Sequence, residues 1–130
     1  MPYGFRLFAL RLGFAGAGLA GLAAPALAQD ATGTWLRDSG LSQVKIAPCG
    51  DALCGTVSWV KEAIHKDNIG LKVFFDMKPA APGTWNGKAF NPEDGKTYTG
   101  KMLLEGTTLT TSGCVFGGMI CRSVLWTRVK

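Results

Sequence analysis

Few side chains in this chain could do chemistry, and their spacing limits what that chemistry would be. The chain has one histidine, His65, set in the polar run Ile64-His65-Lys66-Asp67-Asn68. A general base needs a partner within hydrogen-bond reach. Asp67 is near in sequence, but nothing local fixes its geometry, so His65 reads as a solvated loop side chain. Glu93 and Asp94 form the one adjacent acidic pair. Paired carboxylates can run acid–base or metal chemistry, but Gly95 follows them directly, which marks a hairpin turn. A calcium loop would need alternating Asp/Asn ligands over about twelve residues and a closing Glu, and these are missing. No nucleophile elbow, zinc-protease helix, phosphate loop or dinucleotide fingerprint occurs. The expectation is a protein with no catalytic residues, no cofactor and no metal, and so not an enzyme.

The remaining reactive groups are Cys49, Cys54, Cys114 and Cys121. Four cysteines allow three disulfide connectivities. Each of the pairs Cys49–Cys54 and Cys114–Cys121 flanks a Gly-containing turn between two strand-like runs, which favours that pairing. Each closed loop is short, so each bridge is worth about 2–2.5 kcal/mol in the chain-entropy model. Neither pair has the close C-x2–4-C spacing of structural zinc. The C-x-x-C redox motif is also absent.

Disulfides need an oxidising compartment, and the N-terminus points to one. Residues 1–28 carry Arg6 and Arg11, then a run rich in Ala, Gly and Leu, then Ala26-Leu27-Ala28. This is the layout of a cleaved export signal. The run is interrupted by glycines and Pro25, which is marginal for a membrane span. No cysteine stands just after the cleavage site to carry a lipid. Periplasmic or secreted location is expected, with no stable membrane anchor after cleavage. The mean hydropathy of +0.16 for the 130 residues owes much to this segment. Removing it also takes away two arginines, so the net charge falls from +5 to +3. That charge forms no basic cluster, and nucleic-acid binding is not supported.

The segment 29–130 must position everything else, and it reads as one domain of short strands. Runs at 34–37, 42–47, 55–60, 71–77, 84–90, 97–105, 107–115 and 120–129 are separated by Gly, Pro, Asn and Asp. Lys61–Asn68 reads as one helical turn or a plain loop. Eight short antiparallel strands predict an all-β fold, a small up-and-down barrel or else a sandwich. Gly33-Thr34-Trp35 opens the first strand and Trp126-Thr127-Arg128 lies in the last. In a closed barrel the two ends are neighbours, so Arg128 can stack on the Trp35 indole. This arrangement resembles the lipocalin-like, or calycin, barrels, which close one end with such a pair. Its role is structural.

Several blocks carry a closer likeness. They are Gly33-Thr34-Trp35; Val44-Lys45-Ile46-Ala47-Pro48-Cys49-Gly50-Asp51-Ala52-Leu53-Cys54-Gly55; Ser58-Trp59-Val60-Lys61-Glu62; Trp85-Asn86-Gly87-Lys88; Asn91-Pro92-Glu93-Asp94-Gly95-Lys96-Thr97-Tyr98; and Leu125-Trp126-Thr127-Arg128-Val129. In order and content they resemble the uncharacterised bacterial family called domain of unknown function 2147. The resemblance implies an exported, compact, lipocalin-like barrel and implies no reaction. The stretch after Trp59 is shorter than the family's usual Asn/Pro/Gly-rich loop, and the Cys114–Cys121 pair is not part of the family's pattern.

Such a scaffold suits binding. Period-two alternation places Val44, Ile46, Val57, Trp59, Leu71, Val73, Phe75, Met102 and Leu104 on the inward faces. There they either fill the barrel or line a cavity for a small apolar ligand. The second expectation is a protein-interaction module, of the kind that inhibits proteases or lysozyme. Its candidate surfaces are the disulfide-clamped loop 50–53 and the tip 116–119, where Phe116 and Met119 sit on a stapled loop.

Overall fold

The structure is a computed structural model and describes residues 30–130. The export-signal reading of residues 1–28 lies outside the described residues. Ala31–Lys130 forms one compact unit. Its eight strands are β1 (Gly33–Arg37), β2 (Ser42–Cys49), β3 (Ala52–Val60), β4 (Lys72–Ala81), β5 (Thr84–Asn91), β6 (Lys96–Glu105), β7 (Thr108–Val115) and β8 (Ile120–Arg128). Each pairs antiparallel with its neighbour in sequence, and β1 pairs with β8, so the sheet closes into an up-and-down barrel. Closure leaves no strand edge unpaired. The connector after β3 is a short 3-10 helix, Ala63–Asn68.

The seam joins Trp35 to Arg128, Leu36 to Thr127 and Arg37 to Trp126. Trp35 is fully buried, and its indole Nε1 donates to the Ala31 carbonyl at 2.9 Å. The Arg128 guanidinium lies over the indole, 4.4 Å from the ring centroid, and its Nη1 donates to the Thr32 carbonyl at 2.6 Å. Together they close the barrel end that also carries the turns after β2, β4 and β6. Both expected disulfides are present, Cys49–Cys54 with Cα atoms 5.6 Å apart and Cys114–Cys121 with Cα atoms 4.1 Å apart. The first staples the closed end. The second staples the β7–β8 tip at the opposite end.

Three side chains expected inside are not there, and for two of them, Trp59 and Phe75, the cause is irregular pairing. In β3, Trp59 pairs with Gln43 and Val57 pairs with Val44, which leaves Ser58 as an extra residue. This bulge reverses the alternation. Val57 stays buried, Trp59 is turned outward at 39% exposure, and the half-buried Val60 packs against the core instead. In β4, Lys72 pairs with Thr56 and Phe74 with Gly55, so Val73 is the extra residue. Val73 and Phe74 therefore both face inward, and Phe75 is only half-buried. Gly55 makes room for this, since a Cβ there would sit 2.7 Å from the Phe74 ring. Leu71 precedes the strand and is exposed.

A second irregularity follows in β4. Phe75 pairs with Lys88 and Lys78 with Asn86, which leaves Asp76 and Met77 opposite Gly87 alone. Asp76 adopts a left-handed φ of 53°. The kink restores Met77 to the interior, where it is fully buried. It also presses the backbone of residues 75–76 onto Gly87, whose missing side chain permits the contact.

Candidate functional site

The barrel interior has two unlike halves. Toward the closed end, Trp35, Ile46, Met77, Met102 and Leu109 are each at most 1% exposed. Leu104 and Trp85 join them in the same core cluster. Toward the other end the interior opens into a cavity of about 710 Å³. Val44, Val57 and Val73, from the inward faces of β2, β3 and β4, form one wall. Phe74 and Trp126 meet there edge to face, with ring centroids 6.2 Å apart and an interplanar angle of 82°. Trp126 is paired across the sheet with Leu109, so it stands where the packed half gives way to the hollow one.

Of the nine residues expected on the inward faces, Val44, Val57 and Val73 line the cavity, and Leu71 is exposed. Ile46, Met102 and Leu104 belong to the packed half. Trp59 and Phe75 lie on neither surface; Trp59 instead borders a shallow outer groove with Gln43, Lys45 and Ser58.

The cavity's polar lining includes Arg37, Thr111, Ser112 and Arg122, with Glu93, Asp94 and Tyr98 on the β5–β6 hairpin. Trp126 Nε1 donates to the Thr111 hydroxyl at 2.8 Å, and both side chains are buried. Arg37 lies two residues beyond Trp35 on the same strand face and also borders the cavity. Its Nε is buried and has no hydrogen-bond acceptor among the described residues. Sequence reasoning missed Arg37, Phe74, Thr111 and Trp126 as lining residues. Arg37 was legible from its period-two relation to Trp35. Phe74 was not, because only the bulge turns it inward.

The mouth is framed by the β1–β2 turn, the 3-10 helix, the β5–β6 turn and the β7–β8 tip. His65 Nε2 lies 3.8 Å from Glu62 Oε1, and both side chains are more than half exposed. Asp94 caps the β5–β6 turn. It accepts from the Lys96 backbone N–H at 2.9 Å and from the Tyr98 hydroxyl. The Tyr98 hydrogen bond holds the Asp94 carboxyl below its ordinary value and the Tyr98 hydroxyl above its own. Among the described residues, no three His, Cys, Asp or Glu side chains cluster to hold a metal ion.

Exposed apolar side chains crowd this end. Ile64 is 84% exposed, Phe116 74% and Met119 86%, with Leu41, Ile69 and Ile120 also exposed. Phe116 has a left-handed φ of 53°, which is costly for a bulky residue. No helix among the described residues is long and apolar enough to cross a membrane. The paired disulfides are compatible with an exported protein.

No curated protein and no solved structure matches the chain. One family model does, over residues 33–128, which is the whole barrel from the first strand to the last. With the closed eight-stranded barrel and that match together, the chain belongs to DUF2147, a family described as uncharacterized protein conserved in bacteria.

Proposed function

We propose that this protein is an exported, non-catalytic binder that takes up a small apolar molecule in the open half of its barrel. The cavity carries this reading. Its volume of about 710 Å³ falls within the roughly 300–1,000 Å³ of small-molecule sites. Its walls include Val44, Val57, Val73, Phe74 and Trp126. The packed half beneath gives these walls a rigid footing. Thermal denaturation with apolar ligands tests the reading. Ligand at about 100 times its Kd should add about 2.7 kcal/mol of stability. Absence of stabilisation by any apolar ligand at millimolar concentration overturns it. Native mass spectrometry of protein purified from its own periplasm would show a retained ligand directly.

A second reading is favoured by the β7–β8 tip, where a strained Phe116 and an exposed Met119 stand above the Cys114–Cys121 staple. Backbone strain concentrates at functional sites, and a stapled loop loses little entropy on binding. This reading makes the protein an interaction module that contacts a protein partner, as inhibitors of proteases or lysozyme do. Pull-down from periplasm with the native chain and with Phe116→Ala plus Met119→Ala tests it. Recovery of the same partners by both excludes the tip.

A further inference from the structure

We infer that the cavity takes an amphiphile with an anionic oxyanion head, and that Arg37 is the residue that binds the head. This rests on the ligand-binding reading above and narrows it to a chemical class. Arg37 is a permanent cation that borders an otherwise largely apolar wall, and its Nε is buried without an acceptor. A buried donor left without an acceptor is destabilising, and more so when it is charged. Of the acids that border the cavity, Glu93 and Asp94, neither accepts from that Nε. Asp94 is engaged by Tyr98 and by the Lys96 backbone. Glu62 stands beside His65. Arg122 also borders the cavity, so the mouth carries a second cation.

A carboxylate or phosphate in the cavity would pair with the guanidinium of Arg37, whose planar fork matches such groups in a two-point contact. Arg37 is paired with Trp126 across the β1–β8 seam. The head therefore sits at that seam. The tail lies along Val44, Val57 and Val73 on β2, β3 and β4. A neutral ligand of the same length would bury the same apolar area and offer the half-buried Arg37 no anion to pair with. The site thus selects for charge as well as for length.

The test uses the disulfide-intact protein and three probes with twelve-carbon chains at submillimolar concentration: dodecanoate, 1-dodecanol and dodecyltrimethylammonium. Calorimetric titration should show dodecanoate binding on the order of tenfold or more tighter than dodecanol, with the ammonium weakest, as expected for a charge-assisted hydrogen bond. Arg37→Gln should shrink the acid-over-alcohol ratio to below about twofold. Arg37→Lys, which keeps the charge but loses the two-point geometry, should give an intermediate ratio. Equal affinity for acid and alcohol in the native chain overturns the inference and leaves the cavity reading standing. The acid–alcohol comparison needs no variant, so a folding defect in Arg37→Gln does not decide the matter. Binding of none of the three probes overturns the inference and the cavity reading together.

Discussion

Asp94 and Tyr98 show how one hydrogen bond can organise a rim. The turn residue Asp94 gathers the Lys96 N–H and the Tyr98 hydroxyl, and Asn91 caps the same turn by accepting from the Glu93 N–H at 2.9 Å. The bond lowers the Asp94 pKa and raises that of Tyr98. A depressed carboxyl contributes stability above its unfolded value, and this is lost as pH falls through the folded one. A raised phenol contributes stability below its unfolded value, and this is lost as pH rises through the folded one. Tyr98→Phe should therefore return the Asp94 titration, followed by carboxyl NMR, upward toward the ordinary value of 3.8. An unchanged titration would mean that the Tyr98 hydroxyl does not set the Asp94 pKa. The Trp35–Arg128 pair works differently: its stacked, hydrogen-bonded geometry closes the packed end of the barrel.

At the scale of elements, bulges decide which side chains reach the interior. Ser58 in β3 and Val73 in β4 each insert one residue, and together they exchange Trp59 and Phe75 for Val60 and Phe74. The second irregularity of β4 depends on Gly87. A Cβ there would meet the Asp76 carbonyl and lie 2.7 Å from the Phe75 oxygen, both backbone atoms that cannot swing aside. Gly87→Ala should cost on the order of 1–3 kcal/mol in denaturant unfolding. Gly95→Ala, in an open turn with no atom nearby, should cost less than that, through its left-handed φ of 71° alone. Equal losses at both positions would show that the close approach to β4 is not what constrains residue 87. The Cys114–Cys121 staple spans seven residues, and replacing both cysteines by serine should remove about 2 kcal/mol. A melt unchanged by the double substitution would show that the bridge constrains the unfolded chain little.

At the largest scale, the described residues form a barrel packed at one end and hollow at the other, and the two ends should answer mutation differently. Ile46→Ala removes buried volume from the closed half, where its neighbours cannot collapse, and should cost about 2–5 kcal/mol. Val57→Ala enlarges a space that already exists and should cost about 1 kcal/mol, the loss of a partly compensated transfer. Chemical denaturation of both variants checks the contrast; similar losses would mean that the open half is as tightly packed as the closed one. The polarity also orders these features along the barrel axis. The Trp35–Arg128 plug and the Cys49–Cys54 staple hold one end. The cavity, Arg37 and the apolar tips occupy the other.

Much of this architecture was present in the amino-acid sequence. Eight strand-like runs broken by turn residues lead to an antiparallel barrel. Cysteines flanking two turns lead to their pairing, and a first-strand Trp with a last-strand Arg leads to the contact that closes it. These are local signals, carried by turn chemistry and by the order of hairpins, and hairpin neighbours in sequence are neighbours in space. The interior was less legible. Period-two alternation names an inward face only while the pairing stays regular, and a bulge depends on what the adjacent strand presents, as Gly55 does for Phe74. The hollow was not legible at all. A cavity is a difference between the volume that eight closed strands enclose and the side chains sent into it, and no single strand carries that difference. The unpaired Arg37 Nε is of the same kind, since its lack of an acceptor depends on where every other strand places its polar groups.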